Sequence, residues 1–237
     1  PVPTAAVTGG GTICAGDAIP DVTITLTGTP PWAITYDVSG TPTTVPVINT
    51  SPLTISGGVD GTYTVTAVSD ATCTGTSMTG SATITTNPVP TAAVTGGGTI
   101  CAGDAIPDVT ITLTGTAPWA ITYDVSGTPT TVAVINTSPY TISGAADGTY
   151  TVTAVSDATC TGTSMTGSAT ITTNPVPTAA VTGGGTICAG DAIPDVTITL
   201  TGTPPWAITY DVSGTPTTVP VINTSPLTIS GGVDGTY

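Results

Sequence analysis

The chain repeats itself almost perfectly every 87 residues. Residues 1–7 read PVPTAAV, and the same seven letters return at 88–94 and at 175–181. Self-similarity at a fixed period indicates an array of small modules and not one large fold. We therefore expect three domains, at residues 1–87, 88–174 and 175–237, the last of them incomplete. A catalytic site rarely needs near-identical copies along one chain, whereas a rod, stalk or fibre does.

The repeats differ from one another at very few positions. Repeat 3 matches repeat 1 wherever the two can be compared, and repeat 2 differs from repeat 1 at five places. The five pairs are Pro30/Ala117, Pro46/Ala133, Leu53/Tyr140, Gly58/Ala145 and Val59/Ala146. Two interpretations are open: drift at tolerant surface loops, or alternating lateral contacts in a fibre of several chains.

The charged residues exclude several classes of function. The chain contains 14 acidic residues, all of them Asp, and no Lys, Arg, His or Glu. Without basic side chains it cannot neutralise phosphates, which argues against nucleic acid as a partner and against anionic lipid. Catalysis lacks the usual acids, bases and anion stabilisers, so we expect neither an enzyme nor a cofactor. No apolar run is long enough for a membrane-spanning segment.

Alternation of apolar residues with threonine predicts strands throughout each repeat. Residues 21–27 read DVTITLT, which places Val22, Ile24 and Leu26 on one face and threonines on the other. Similar alternation, in places weaker, is found in seven other segments of repeat 1: residues 5–8, 12–15, 32–38, 44–48, 53–55, 63–67 and 81–85. Seven or eight short strands with Gly and Pro turns between them are typical of a β-sandwich.

Two aromatic positions refine this prediction to an immunoglobulin-like (Ig-like) sandwich. Trp32 lies where such a sandwich has a large aromatic residue on its third strand, and residues 60–63 (DGTY) resemble a tyrosine corner. The fold class expected is all-β, with tandem Ig-like β-sandwiches in an extended rod. The predicted core includes these aromatic residues in every repeat: Trp32, Trp119, Trp206, Tyr63, Tyr150 and Tyr237.

Cysteines occur at a fixed spacing within each repeat. Cys14 and Cys73 recur as Cys101 and Cys160, and Cys188 begins a third pair. Two cysteines per small module predict one disulfide inside each repeat, Cys14–Cys73 and Cys101–Cys160. A loop of this length contributes about 4 kcal/mol on the loop-entropy model. A zinc site is the competing interpretation, but two cysteines without histidine fall short of a zinc ligand set.

Five segments of repeat 1 together resemble a known pattern: residues 12–16 (TICAG), 31–36 (PWAITY), 51–55 (SPLTI), 61–65 (GTYTV) and 70–75 (DATCTG). The pattern is similar to the Ig-like repeats found in tandem in very large secreted surface proteins of Bacteroidetes, including gliding-motility adhesins. The resemblance implies a stalk that carries adhesive or catalytic ends and is exported to the cell surface. The near identity of the repeats and the absence of basic residues depart from that pattern.

Candidate ligand and modification sites lie on the polar faces. Asp17, Asp21 and Asp70 form a weak calcium candidate, with capping of turns as the alternative. Outward threonines suggest O-glycosylation, since a chain with so little charge needs another source of solubility; ordinary β-propensity and ice binding are alternatives. The candidate glycosylation residues are Thr23, Thr25, Thr27, Thr62, Thr64, Thr66, Thr83, Thr85, and the sequon residues Asn49, Asn136 and Asn223, each sequon being followed at once by proline.

The links between repeats favour an extended arrangement. Residues 87–90 (NPVP) and 174–177 (NPVP) join successive repeats, and proline stiffens such short links. The function expected is a structural segment of an extracellular filament or cell-surface stalk, with covalent glycans. Its partners would be other copies of itself or further repeats of the same chain, which we expect to continue beyond Tyr237. The alternative is an adhesin whose repeats bind a ligand such as a glycan.

Overall fold

The computed structural model describes all 237 residues and consists of β-strands and connecting turns. Repeat 1 contains nine strands: β1 (Thr4–Gly9), β2 (Gly11–Cys14), β3 (Val22–Thr27), β4 (Trp32–Val38), β5 (Thr41–Ile48), β6 (Leu53–Ile55), β7 (Gly61–Asp70), β8 (Ser77–Thr79) and β9 (Ala82–Asn87). They form two sheets, β6-β3-β1-β8 and β2-β9-β7-β4-β5. The fold is therefore the expected Ig-like β-sandwich.

Repeat 2 reproduces this sandwich strand for strand. Its strands are β10 (Thr91–Gly96), β11 (Gly98–Cys101), β12 (Val109–Leu113), β13 (Trp119–Val125), β14 (Thr128–Ile135), β15 (Tyr140–Ile142), β16 (Gly148–Ser156), β17 (Ser164–Thr166) and β18 (Ala169–Asn174). The sheet orders, β15-β12-β10-β17 and β11-β18-β16-β13-β14, are those of repeat 1. Near-identical sequences thus give the same pairing twice.

Repeat 3 has five strands. They are β19 (Thr178–Gly183), β20 (Val196–Thr201), β21 (Trp206–Val212), β22 (Thr215–Ile222) and β23 (Leu227–Ile229). They form one three-stranded sheet, β19-β20-β23, and one two-stranded sheet, β21-β22. Every residue of β19 is exposed, whereas its counterparts β1 and β10 each bury two side chains. The chain is thus about three tandem sandwiches, with a thinner third core.

In each complete sandwich the first two strands lie in different sheets, and so do the last two. β1 pairs with β8 in parallel in one sheet, and β2 pairs with β9 in parallel in the other. The segment 74–87, which contains β8 and β9, runs antiparallel to β7 along the length of the sandwich. The chain therefore enters a repeat near Pro3 and leaves it near Asn87 at the opposite end, and we call these the entry end and the exit end.

The core lies between the two sheets, where the alternating apolar residues meet. In repeat 1 it contains Ile24 and Ile34 from facing sheets, with Val65 and Trp32. Trp32 and Trp119 are 6% and 8% exposed, and the indole Nε1 of Trp32 donates a hydrogen bond of 2.9 Å to Thr27 O. Burial of the alternating apolar faces is the main force that holds each sandwich together.

Tyrosines anchor the loop between β6 and β7. Tyr63 Oη donates to Val59 O at 2.9 Å and accepts from Val59 N at 2.8 Å. This is the tie to nearby backbone that defines a tyrosine corner. Tyr63 and Tyr150 are buried, but Trp206 and Tyr237 are only half-buried. In repeat 1, Trp32 and Tyr63 lie in the sheet that β7 and β9 complete, and these two strands have no counterpart in repeat 3.

Candidate functional site: the junction between repeats

A disulfide joins repeat 1 to repeat 2. It links Cys14, at the end of β2, to Cys160, which follows β16, with a Cα–Cα distance of 5.8 Å. The expected pairing inside each repeat, Cys14–Cys73 and Cys101–Cys160, is therefore not the one in the structure. Cys73, Cys101 and Cys188 are unpaired and exposed. The bridge connects two domains and does not reinforce one.

The topology explains why the expected pairing is wrong. Cys14 pairs with Asn87 in the β2–β9 ladder, which places it at the exit end. Cys73 lies three residues after Asp70, the last residue of β7. This is the entry end, because the turn at Gly28 is close to both Asp70 and Pro3. The ten-residue β7 alone spans about 30 Å. Since bonded cysteines need Cα atoms within about 7 Å, Cys14 and Cys73 cannot meet.

A short turn holds Cys14 at the exit end. Asp17 N donates to Cys14 O at 3.0 Å, and Cys14 N donates back to Asp17 Oδ2 at 3.2 Å. The next residue is tied to the last strand, because Ala15 N donates to Asn87 O at 2.9 Å. The cysteine thus lies beside the residue at which the chain leaves for the next repeat.

A carboxylate holds Cys160 at the entry end of repeat 2. Asp157 Oδ1 accepts from Cys160 N at 2.7 Å and from Thr159 N at 2.9 Å, and Oδ2 accepts from Thr116 N at 2.9 Å. These bonds fix the loop that carries the cysteine. Cys160 is only 4% exposed because repeat 1 covers it. Both half-cystines are therefore held in place by hydrogen bonds of their own repeats.

The same loop in repeat 1 is built around Asp70. Asp70 Oδ1 accepts from Thr72 N at 2.9 Å and from Cys73 N at 2.8 Å. The bond from Thr72 is the main reason that the pKa of Asp70 falls from 3.8 to about 2. For Asp157, desolvation raises the pKa, but the bonds from Thr116 and the loop amides outweigh it, and the pKa is again about 2. Both carboxylates bind their loops in the charged form.

We expect acid to weaken these loops over a defined range of pH. A carboxylate whose folded pKa is depressed stabilises the fold above its unfolded pKa, and the stabilisation is lost as pH falls towards the folded pKa. The melting temperature should therefore fall between about pH 4 and pH 2. Asp157→Asn should lower the melting temperature at pH 7 and converge with the parent near pH 2. The control is Asp108→Asn, which makes the same charge change at a carboxylate that accepts no side-chain hydrogen bond. Its melting temperature should not converge with that of the parent in this way. If calorimetry gave the same pH dependence for both variants, the role of Asp157 in holding the loop would be contradicted.

The three carboxylates of the calcium candidate do not lie together. Asp17 and Asp21 are at the exit end, beside Cys14 and Gly9 respectively, while Asp70 is at the entry end of the same repeat. No group of three potential metal ligands forms anywhere in the structure. Asp17 and Asp70 instead bond to turn amides, which is the alternative role that the sequence allowed.

The candidate glycosylation residues lie on the outer faces. Asn49, Asn136 and Asn223 are exposed, and none of the eight candidate threonines is buried. Thr62 and Thr83 share a hydroxyl–hydroxyl hydrogen bond of 3.0 Å across two strands, and Thr66 Oγ1 donates to Thr35 O. Thr23, Thr25, Thr64 and Thr85 make no side-chain hydrogen bond. Their hydroxyls are therefore not engaged by other side chains or by the backbone; Thr25 and Thr85 are exposed, and Thr23 and Thr64 are half-buried.

The disulfide can be checked with a protease that cleaves before aspartate, since the chain has no Lys or Arg. Such cleavage places Cys14 on residues 1–16, Cys73 and Cys101 together on 70–103, and Cys160 and Cys188 together on 157–190. Under non-reducing conditions, mass spectrometry should find 1–16 bonded to 157–190, with 70–103 free. Pairing inside the repeats would instead join all three peptides into one species.

The comparison with known families identifies one Ig-like domain in the chain. The family model of the Ig-like domain of nucleoporin POM152 matches residues 99–170, within repeat 2. None of the curated protein sequences matches the chain. An I-band fragment of titin is similar at 14% identity over 89% of this chain and 77% of that one, with a TM-score of 0.49.

Two further solved structures are similar at low identity. A 1.5-MDa bacterial ice-binding adhesin has 14% identity over 97% of this chain and 87% of that one, with a TM-score of 0.41. A marsupial T cell receptor has 12% identity over 98% of this chain and all of the other, with a TM-score of 0.45. The strand topology and the family-model match together describe this protein as an array of tandem Ig-like domains.

Proposed function

We propose that the chain is a structural segment of an extracellular filament or cell-surface stalk. The observation that supports this most is the Cys14–Cys160 bridge, which ties one repeat to the next. A bridge inside one domain stabilises that domain, whereas a bridge across a junction resists separation of the two domains. Ig-like repeat domains are typically non-catalytic, and this chain has no His, Lys, Arg or Glu with which to act as an enzyme.

The disulfide also supports a location outside the cytoplasm. Disulfides persist in oxidising compartments and are rare where glutathione and thioredoxin keep thiols reduced. The structure contains no helix that could span a membrane. We propose an extracellular location, with other copies of the chain or further repeats as its partners.

Small-angle scattering tests the structural role. A chain that serves as a rigid segment should scatter as an extended particle with a constant cross-section. Cys14→Ser should show a wider range of inter-repeat angles, because Pro88 and Pro90 alone would then limit bending. Cys73→Ser, which removes an unpaired thiol, is the matched control and should scatter like the parent. A parent as flexible as Cys14→Ser would argue against a structural role for the junction.

O-glycosylation is the second part of the proposal. Four of the eight candidate threonines, Thr23, Thr25, Thr64 and Thr85, make no side-chain hydrogen bond and lie on exposed or half-exposed strand positions of repeat 1. We expect the intact mass of native material to exceed that of the bare polypeptide, with sugar on exposed threonines. Chemical removal of O-glycans should restore the polypeptide mass and reduce solubility. A native mass equal to that of the polypeptide would end this part of the proposal.

The adhesin alternative has one feature in its favour. A groove of about 530 Å³ in repeat 1 is lined by Tyr36, Tyr63, Val59 and Asp60, and aromatic rings beside a carboxylate suit a sugar. In repeat 2 the groove changes, because Ala145 and Ala146 replace Gly58 and Val59. Specific binding on a glycan array that is lost in Tyr36→Ala would support the adhesin over the stalk.

A further inference from the structure

The two cysteines of the junction recur in each full repeat at the same places in the fold. Cys101 in repeat 2 corresponds to Cys14 at the exit end, and Cys73 in repeat 1 corresponds to Cys160 at the entry end. We propose that the bridge recurs at every junction, so that Cys101 bonds to the counterpart of Cys73 in a completed third repeat. This inference deepens the structural role proposed above and rests on it. It extends one bridge to a ladder of bridges, each of which joins cysteines 146 residues apart.

The junction between repeats 2 and 3 has the matching shape. A cavity of about 370 Å³ is lined by Cys101, Pro175, Pro177 and Trp206, among others. At the junction of repeats 1 and 2, the segment 157–162, which carries Cys160, contacts Pro90 and Thr116. These two residues correspond to Pro177 and Thr203 in the lining of the cavity. Ala158 N donates to Thr116 O at 3.5 Å, and a Cβ on Gly162 would collide with Pro90 O. The cavity beside Cys101 thus corresponds to the seat of a cysteine-bearing loop.

The unpaired Cys73 is already held like its bonded counterpart. Cys73 N donates to Asp70 Oδ1 at 2.8 Å, and Cys160 N donates to Asp157 Oδ1 at 2.7 Å. Asp70 N and Asp157 N each donate to the carbonyl of their own cysteine at 2.9 Å. The loop conformation therefore does not depend on the bond, and the entry end of repeat 1 fits the exit end of another repeat.

The ladder has a mechanical consequence that follows from strand direction. From Cys73 to Cys101 the chain passes through β8, β9, β10 and β11 without reversing, over 28 residues. At about 3.3 Å per residue in a strand, this segment is already close to full extension, at roughly 90 Å. Bridges would join such segments end to end. Because each segment runs from the entry end of one repeat to the exit end of the next, the segments would form two continuous covalent lines, offset from each other by one repeat. Tension would then be carried by covalent bonds, and the residues between Cys14 and Cys73 of each repeat would lie outside the loaded path.

Formation of each new bridge needs an external oxidant. The reaction is thiol–disulfide exchange with a small external disulfide such as oxidised glutathione. The two cysteine thiols lose two protons and two electrons, one S–S bond forms between them, and the external disulfide is reduced to two thiols.

The test is a chain extended after Tyr237 by a copy of residues 64–87, refolded in a glutathione redox buffer. Cleavage before aspartate should bond peptide 70–103 to the added cysteine peptide, and 1–16 to 157–190. Cys101→Ser should abolish the first bond and Cys73→Ser should leave it intact. Two results would overturn the ladder. The first is a bond between 157–190 and the added peptide, which would mean that Cys188 pairs inside repeat 3. The second is an added cysteine that stays free although the third repeat has folded, as shown by its resistance to hydrogen exchange.

Native material provides a second measurement that does not depend on refolding. After thiols are blocked, every bridge should join cysteines 146 residues apart, as Cys14 and Cys160 are. Bridges of 59 residues, the spacing of Cys14 and Cys73, would overturn the ladder. A rod-like particle with such bridges would reject the ladder and leave the structural role standing, whereas a flexible or compact particle would reject the structural role itself.

Discussion

A single chain stretched between its two ends should reach a contour length roughly 500 Å shorter when oxidised than when reduced. The reason is that the Cys14–Cys160 bridge bypasses 146 residues with a step of 5.8 Å between Cα atoms. Each bypassed residue would otherwise add about 3.5 Å at full extension. Optical tweezers or an atomic force microscope, with handles at Pro1 and Tyr237, can measure this difference before and after addition of a reductant.

Two variants distinguish this bridge from the pairing inside repeats. Cys14→Ser should reach the full length under both conditions, because no bypass remains. Cys73→Ser should behave like the parent, because Cys73 is unpaired. If Cys73 were bonded to Cys14 instead, Cys73→Ser would lengthen the oxidised chain by roughly 200 Å, since 59 residues would be released. That lengthening would refute the junction bridge.

The sandwich could be predicted because its signal is local. Residues 22–27 alternate between Val, Ile or Leu and Thr, and the structure buries the apolar members in β3 and exposes or half-exposes the threonines. The predicted strand at 53–55 matches β6, while β7 extends from Gly61 to Asp70, beyond the predicted 63–67. β8 was not predicted, because Ser77–Thr79 has only three residues, with a single apolar one, Met78. With one apolar residue there is no alternation to recognise, whereas the equally short β6 has Leu53 and Ile55 on either side of Thr54.

The disulfide could not be predicted from spacing, because spacing along the chain does not say at which end of a sandwich a residue lies. The signal that would have found it is strand direction. Cys14 ends the early segment β1–β2, which runs from the entry end to the exit end, whereas Cys73 follows β7, which runs the other way. Residues that close two opposite strands lie at opposite ends. Their partners must then come from a neighbouring repeat.

The five positions that vary do not all lie on the surface. Ala145, the counterpart of Gly58, is 6% exposed and belongs to the core of repeat 2. A Cβ on Gly58 would lie 2.5 Å from Tyr63 Oη, so the tyrosine corner has to adjust. In repeat 2, Tyr150 Oη still donates to Ala146 O at 2.8 Å but no longer accepts from Ala146 N. Drift at surface loops therefore does not account for this position.

The incomplete third repeat provides an internal comparison for the core tryptophan. Trp32 is 6% exposed and packs in a cluster of 13 buried residues, whereas Trp206 is half-buried beside a cluster of three. Both indoles make the same hydrogen bond of 2.9 Å, to Thr27 O and Thr201 O. The two residues therefore differ in burial and not in hydrogen bonding.

Trp32→Ala should destabilise repeat 1 by about 3–5 kcal/mol, because it removes a large buried side chain and leaves a cavity between the sheets. Hydrogen exchange of the slowest amides in repeat 1 should accelerate by a hundredfold or more. Repeat 2, which keeps Trp119 in its own core cluster, should change much less. Trp206→Ala should accelerate exchange in repeat 3 only modestly, since less apolar surface is lost from a half-open site. Equal effects of Trp32→Ala and Trp206→Ala, each in its own repeat, would mean that the shared indole hydrogen bond and not burial carries the stabilisation.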